Sequence, residues 1–227
     1  MRIFSSVKEM YGEVKRDLKE MGIEYISETV QDQEVNIKTL ELNGYGYTLT
    51  QHEDAYDTAK ANGINMEWLS AENMERAGME MLNLNPGYAW NHNKEFWEKF
   101  LRDGAFSYTY PERMYNQISR VIGELIARKN TRQAVITMYD VHQDMMNWGG
   151  RDRVPCSMHY QLLIREDKLH MSYCMRSCDL VKFFLSDVYL ALGLLDHISD
   201  AIGLETGNFT HFIGSLHCFE GELEGVF

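Results

Sequence analysis

The sequence predicts a single α+β domain in which a mixed or mostly antiparallel sheet has helices packed on one side. The chain has 227 residues, 44% of them hydrophobic, which suits one domain with a buried core. Segments that alternate apolar and polar residues are mixed with segments of helical periodicity. The two types do not follow one another regularly, which argues against a repeated βαβ pattern. We therefore predict one domain over residues 1–227.

The first half of the chain contains a predicted helix, a predicted hairpin and a second predicted helix. Residues 8–21 are polar and rich in helix-forming residues. Residues 34–50 alternate apolar and polar around Asn43-Gly44, which predicts a β-hairpin. Residues 65–82 have helical spacing, and this helix is expected to end at Pro86-Gly87. The face of this helix carries Trp68, Glu72, Glu75, Met79 and Leu82.

The second half contains most of the predicted sheet. An amphipathic helix is predicted over residues 116–129, and a buried central helix over residues 188–202 with Gly203 as its C-terminal cap. Glu166-Asp167 indicates a tight turn between two strands. The predicted strands of this half span residues 134–139, 158–165, 168–174 and 208–219.

Charge and composition exclude several classes of protein. The chain has 22 Lys+Arg against 34 Asp+Glu, a net charge of −12, which argues against binding to duplex nucleic acid. A nucleotide substrate is still allowed, because it needs only a few local basic groups. The apolar run at residues 188–195 is too short to span a bilayer, and the N-terminus lacks the apolar core of a signal peptide. We expect a cytoplasmic protein, and we expect no metal because the four cysteines lack zinc-site spacing.

Two short motifs suggest chemistry. Pro155 fixes the backbone just before Cys156, at the start of a predicted strand. Arg176 and Ser177 are adjacent, and a guanidinium beside a hydroxyl can hold a phosphate and lower the pKa of a nearby thiol. Taken singly, each motif has an ordinary alternative: Cys156 as a buried structural thiol, and Arg176 with Asp179 as a surface ion pair.

Together with their surroundings, these motifs resemble the thymidylate synthase family of pyrimidine-nucleotide C5 transferases. The resemblance extends over residues 108–219 and is carried by blocks in the family's order. They are Pro155-Cys156 with Gln161 five residues later, Arg176-Ser177-Cys178-Asp179, the helix-containing stretch 176–207, Gly214 to Phe219, and the upstream segments 108–113 and 131–133.

The resemblance implies a homodimer that binds a pyrimidine nucleoside monophosphate and 5,10-methylenetetrahydrofolate, with no metal. Cys156 would add to C6 of the ring, while Arg176 and Ser177 would hold the phosphate. Arg132 would reach the phosphate of the partner subunit, although the family's second arginine is Gln133 here. His217 would contact the sugar. The nucleotide site would also include Gln161 and Asp179.

Two features leave alternatives open. The family's tyrosine two residues after the histidine is Phe219 here, so the resemblance does not separate ribonucleotides from deoxyribonucleotides. The family also uses a carboxylate from an upstream helix, for which Glu72 and Glu75 are the candidates. We favour Glu75, although one of the two can be a partly exposed surface residue.

The departure that bears most on the substrate is Asp187, at the position where the family carries an asparagine that recognises uracil. A protonated carboxyl can donate to cytosine N3 and accept from the cytosine amino group. Asp187 therefore makes the chain similar to the deoxycytidylate hydroxymethylase branch, known from bacteriophages, which forms 5-hydroxymethyl-deoxycytidylate. The alternative is that Asp187 only caps a helix beginning at Val188.

One further expectation and two rival functions remain. The chain ends at Phe227, without the tail that covers folate in the family's synthases, so we expect the site to close differently. The first rival function is a thymidylate synthase or uridylate hydroxymethylase that tolerates Asp187. The second is a catalytically silent nucleotide-binding homologue.

Overall fold

The computed structural model describes residues 1–28, 35–78, 83–147 and 152–225. Seven strands lie within these residues: β1 (Arg2–Phe4), β2 (Ile23–Glu28), β3 (Val35–Leu49), β4 (Val135–Thr137), β5 (Ser157–Arg165), β6 (Lys168–Asp179) and β7 (Glu205–Phe219). The helices of the same residues are α1 (Val7–Met21), α2 (Ala55–Ala61), α3 (Met66–Arg76), α4 (Lys94–Trp97), α5 (Tyr110–Ala127), α6 (Val141–Asp144) and α7 (Phe184–Ile202).

The strands form one mixed sheet in the order β1-β3-β7-β6-β5-β4, and β2 pairs with β3 beside β1. The pairs β1–β3 and β6–β7 are parallel, and the remaining pairs are antiparallel. The C-terminal ends of β6 and β7 therefore lie side by side, with Ser177 opposite Ser215 and Asp179 opposite His217. This arrangement brings two of the predicted motifs to the same edge of the sheet.

The core lies between the sheet and helices α1, α5 and α7. Fully buried Leu18 from α1, Leu125 from α5 and Leu195 from α7 belong to one cluster with Tyr173 and Phe209 of the sheet. Burial of each large apolar side chain stabilises the fold by ~1.5–3 kcal/mol. The predicted fold class, a mixed sheet with packed helices, is confirmed.

The helices begin and end where local chemistry dictates. Ser6 caps α1 by accepting from the Glu9 amide at 3.1 Å. Thr109 and Glu112 form a capping box, so α5 begins at Tyr110, six residues before its predicted start. Gly203 ends α7 with φ 68°, as predicted for a C-terminal cap. No helix within the described residues is long and apolar enough to cross a membrane.

Two sequence predictions in the first half are wrong. Residues 34–50 do not form a hairpin, because β3 continues through Asn43-Gly44 and pairs with β7 on both sides of it. The third helix does not extend to Pro86-Gly87, because α3 ends at Arg76 and Gly78 follows with φ 76°. Met79 and Leu82 of the predicted apolar face lie outside the described residues.

Gly44 does not lie in a turn. It lies at the level of the sheet where the alternation of buried and exposed residues along the neighbouring strand β7 shifts by one residue. The pairing of β3 with β7 skips Gly44 and Gly214, and the pairing of β6 with β7 skips Arg176 and Gly214. A Cβ atom on Gly214 would lie 2.7 Å from the Arg176 carbonyl oxygen, so only glycine fits there. Before Gly214 the odd-numbered residues of β7 are buried in the core, whereas after it Leu216 and Cys218 are. The odd-numbered residues Ser215 and His217 are thereby left to line a cavity.

Candidate active site

A cavity of about 590 Å³ opens where these strand ends meet α3, the start of α5 and the start of α7. Its volume is typical of small-molecule sites. Most of the predicted site residues line it: Glu72, Glu75, Cys156, Arg176, Ser177, Asp179, Asp187 and His217. They come from separate parts of the chain, so the fold brings together what the sequence spaces far apart.

Arg176 holds the loop that carries Cys156. Its side chain donates to the carbonyl oxygens of Pro155 and Val154, both at 2.9 Å, and its Nη2 lies 3.7 Å from the Cys156 sulfur. The Arg176 amide also donates to the Cys156 carbonyl at 2.8 Å. The thiol is thus fixed at the cavity wall beside a positive charge.

The surroundings of Cys156 favour the protonated thiol over the thiolate. Burial raises the pKa of Cys156, and the charges of Arg176 and Arg153 offset only part of that rise. Arg176 lowers the pKa of the Cys156 thiol, as expected, but the effect of burial is larger. Attack by Cys156 must accordingly be accompanied by transfer of its proton.

A polar cluster lies beside Arg176 at the ends of β6 and β7. Ser177 Oγ and Ser215 Oγ each lie 3.5 Å from His217 Nδ1, and Ser215 also donates to Glu41. The exposed Arg176 guanidinium and the Ser177 hydroxyl are close enough in sequence and space to hold a phosphate. A contact of His217 with a sugar hydroxyl remains a prediction.

Asp179 supports the turn that leads into α7. Its Oδ1 accepts from the amides of Val181 and Lys182 at 2.9 and 3.0 Å, while its Oδ2 is buried without a hydrogen-bond partner among the described residues. Burial raises the pKa of this carboxyl, and the charge of Glu222 adds to the rise. A contact of Asp179 with a nucleotide remains a prediction.

The two candidate carboxylates, Glu72 and Glu75, both line the cavity but differ in their contacts, and which of them is functional remains a prediction. Glu75 is 8% exposed, and its Oε1 accepts from the amides of Tyr88 and Ala89, so it holds the loop after Gly87 in place. Glu72 pairs with Arg76 at 2.8 Å and lines the cavity. Spacing on the helix does not reveal this difference, because the loop that Glu75 binds is distant in sequence.

Asp187 lies inside the first turn of α7, so the helix-cap alternative is wrong. Phe183 occupies the cap position, and the Asp187 amide donates to the Phe183 carbonyl at 2.8 Å. The Asp187 carboxylate accepts from the Cys178 thiol at 3.7 Å. Burial raises the pKa of Asp187 to about 7, against the opposing charge of Arg76. Both protonation states are therefore accessible near neutral pH.

The rest of the cavity wall is aromatic and, apart from Tyr108 in the matched segment 108–113, was not identified from the sequence. Trp90, Trp97, Phe106 and Tyr108 line it, and the Arg153 guanidinium lies over the Trp97 ring. Burial raises the pKa of Tyr108 and of its neighbour Tyr110, so both phenols stay protonated and can donate. The density of aromatic residues between positions 88 and 110 is the signal that could have indicated this wall.

Arg132 and Gln161 do not line this cavity. Gln161 lies in β5 opposite Val135, and its amide donates to the Arg132 carbonyl at 3.1 Å. Contacts of Gln161 and Arg132 with a nucleotide remain predictions. No group of His, Cys, Asp or Glu side chains within the described residues could hold a metal ion.

Comparisons with known proteins agree with this geometry. A family model described as "Thymidylate synthase" matches residues 45–226. A relative from Methanocaldococcus jannaschii, named "Putative thymidylate synthase", is 32% identical over 115 residues, covering 50% of this chain and 52% of the relative. A relative of the same name from Methanococcoides burtonii is 30% identical over 149 residues, covering 61% and 67%. The chain thus spans about half to two thirds of the length of these relatives.

The fold comparison extends further along the chain than the sequence comparison. The thermostable thymidylate synthase A from Bacillus subtilis superposes with a TM-score of 0.72 over 98% of this chain and 83% of that one. At 17% identity this similarity shows a shared fold.

Proposed function

This chain belongs to the thymidylate synthase family, and from that premise we propose that it transfers a one-carbon unit from 5,10-methylenetetrahydrofolate to C5 of a pyrimidine nucleoside monophosphate. The observation that carries the proposal is the cavity itself, in which Cys156, Arg176 and Asp187 face a common space. A nucleophile, a phosphate-binding cation and a group able to recognise a base are the three elements that such chemistry needs.

The chain's own residues account for the nucleotide half of the reaction. Arg176 and Ser177 hold the phosphate and so place C6 of the ring against Cys156. The Cys156 sulfur adds to C6, which makes C5 nucleophilic. Tyr108 and Tyr110 supply donors beside the thiol, and Glu72 orders water and accepts a proton at the base. The folate, when bound, supplies the one-carbon unit as an electrophile.

The aromatic wall fits the folate. Its rings offer planar apolar surface for a pterin and a benzoyl group, and they belong to the chain segment before α5 rather than to the phosphate-binding strands. Two planar ligands can therefore lie against one another between this wall and the strand ends.

We further propose that the substrate is deoxycytidylate and the product 5-hydroxymethyl-deoxycytidylate, with water supplying the hydroxyl oxygen. With a pKa of about 7, Asp187 is protonated in a large fraction of molecules at neutral pH. A protonated carboxyl donates to cytosine N3 and accepts from the amino group, which an asparagine does not do in the same orientation. A site built on such pairing can discriminate between bases by ~10⁴.

A uridylate substrate is the rival, and one contact favours it. The Arg76 charge lowers the pKa of Asp187, and an ionised Asp187 accepts from uracil N3–H. The names of the relatives agree with that rival. Against it, an ionised carboxylate repels uracil O4, so the same side chain would favour one edge atom and oppose the next.

We propose that the active unit is a homodimer that shares its sites. Arg132 lies outside its own cavity, where an arginine that serves the neighbouring subunit has to lie. The sheet face opposite the helices carries half-buried His159, Ser172 and Cys174, and Phe212 there is 44% exposed. Pairing of this face with a second copy would cover that surface.

Release of tritium from C5 tests the proposal directly. Deoxycytidylate, cytidylate and deoxyuridylate, each labelled at C5, are incubated with methylenetetrahydrofolate, and products are identified by mass. We expect release from deoxycytidylate with a product heavier by one hydroxymethyl group in place of hydrogen. Release from deoxyuridylate alone would transfer the assignment to the rival, and release from none would refute the transferase function.

A further inference from the structure

Arg153 is a cavity arginine to which neither the sequence motifs nor the family resemblance gives a role. It lies three residues before Cys156, and its side chain is half-buried in the cavity wall. The guanidinium carbon lies 4.5 Å from the ring centre of Trp97, 5.2 Å from that of Tyr108 and 5.3 Å from that of Phe100. These rings stabilise the charge through their faces, which leaves the N–H groups at the edge of the guanidinium for another partner.

The other arginines of this cavity have partners within the protein. Arg76 bonds Glu72, and Arg176 donates to two loop carbonyls. By contrast, Arg153 forms no hydrogen bond and no ion pair with any residue in the described part of the chain. A half-buried cation whose donors lack protein acceptors is a site for an anionic ligand group.

The position of Arg153 shows which ligand this group belongs to. Under the proposed function, the nucleotide phosphate lies at Arg176 and Ser177, on β6. Arg153 instead rests on Trp97 and Tyr108, which belong to the aromatic wall that fits the folate. We propose that Arg153 binds a carboxylate of the folate's glutamate tail through a two-pronged guanidinium–carboxylate contact. This inference rests on the proposed function.

The proposed contact also offsets the repulsion between the acidic protein and an anionic co-substrate. The chain carries a net charge of −12, so an anionic co-substrate is repelled at long range. A single well-placed guanidinium provides a local attraction that is screened by salt only where solvent reaches it. Under this proposal Arg153 fixes the charged tail against Trp97 and Tyr108.

Calorimetric titration of the deoxycytidylate-bound protein tests this role without requiring turnover. The probes are 5-formyltetrahydrofolate and its neutral α,γ-diamide. Arg153→Met keeps the apolar stem on the rings but removes the charge. Arg153→Lys keeps the charge but loses the pair of parallel N–H donors of the guanidinium. Lys99→Met is the matched control, because Lys99 lies over Phe96 and Phe100 at 5.0 and 5.1 Å without lining the cavity.

We expect Arg153→Met to weaken binding of the acid about tenfold and to leave the diamide unchanged. Arg153→Lys should recover part of the loss, Lys99→Met should show none, and the Kd for deoxycytidylate should stay constant in all three. Equal binding of acid and diamide by the unmodified protein would overturn the inference. So would a loss confined to nucleotide binding in Arg153→Met, which would assign Arg153 to the phosphate. If the unmodified protein binds neither folate form, the proposed function fails, and this inference falls with it.

Discussion

Replacing Asp187 by asparagine isolates the group that we hold responsible for base choice. The two side chains are nearly the same size, and the Asp187 amide bond to the Phe183 carbonyl is made by the backbone, so α7 keeps its first turn. The Cys178 thiol, which now donates to the carboxylate, can donate to the amide oxygen instead. What changes is the pattern of donors and acceptors that faces the base, and the ability to titrate.

The size of the effect follows from the loss of one matched pair. In Asp187→Asn the amide pairs with cytosine only if its NH₂ faces N3 and its oxygen faces the amino group. In the opposite orientation, which suits uracil, its oxygen meets N3 and its NH₂ meets the amino group, so both contacts are lost. An unpaired buried polar group costs ~1–3 kcal/mol, which is roughly one to two decades in the kcat/KM ratio of cytidylate to uridylate. In the unmodified protein, kcat/KM for cytidylate should fall as the pH rises above about 7, because deprotonation removes the donor to N3. That fall should be absent in the variant.

The same pKa has a consequence for stability, with a definite sign. The folded protein raises the pKa of Asp187 from 3.8 to about 7, so the folded state binds this proton more tightly than the unfolded chain does. Stability is therefore lost as the pH rises through the window between these two values. Asp187→Asn should be more stable than the unmodified protein at pH 8, by ~1–2 kcal/mol, and not at pH 3. The figure is below the full conversion of the pKa difference, because the carboxyl lies at a solvated cavity wall.

The assay is steady-state kinetics with both nucleotides from pH 5.5 to 8.5, together with urea unfolding at pH 8. Asp196→Asn is the control, because Asp196 lies on the same helix and pairs with His52 on the outer surface. If Asp187→Asn folds normally and both its substrate ratio and its pH profile match those of the unmodified protein, Asp187 does not recognise the base. The assignment to cytidylate would then be wrong.

Three further predictions concern the remaining machinery. Cys156→Ala should abolish turnover while calorimetry still detects nucleotide binding; a near-normal rate would remove the thiol from the mechanism. Mixing Cys156→Ala with Arg132→Ala subunits should restore about one quarter of the activity through hybrid dimers with one intact site, and no recovery after confirmed subunit exchange would contradict shared sites. Glu72→Gln should lower kcat by ~10²-fold and should also lower the denaturant midpoint, because buried Arg76 loses its charged partner. Glu75→Gln should lower the unfolding free energy by ~1–2 kcal/mol with a smaller change in kcat; a larger loss of kcat in Glu75→Gln than in Glu72→Gln would make Glu75 the functional carboxylate.

The sequence allowed prediction where one local pattern decides the structure. The turn at Glu166-Asp167, with φ values of 52° and 56°, and the cap at Gly203 depend on neighbouring residues alone. The residues of the β6 and β7 motifs could be placed together because their order along the chain matched a known family. By contrast, Asn43-Gly44 is a strong turn signal that loses to the pairing of β3 with β7 on both sides.

What could not be predicted depends on contacts between distant segments. Glu75 lies on the same helical face as Glu72, and its bonds from the Tyr88 and Ala89 amides cannot be read from that spacing. The importance of Arg153 likewise depends on which rings surround it and on which acceptors it lacks. Helix beginnings were missed where a cap lay upstream of the apolar pattern, as at Thr109.

At Gly214 the buried positions of β7 change from odd-numbered to even-numbered residues. The two halves of this strand therefore serve different purposes. On its N-terminal side, Phe209 and Ile213 affect the free energy of folding; on its C-terminal side, Ser215 and His217 affect what is bound. Mutations that alter the ligand can therefore accumulate without loss of the core, and a sheet of this kind can acquire new substrates over evolutionary time. Gly214 itself is excluded from such drift, because any side chain there meets the Arg176 carbonyl.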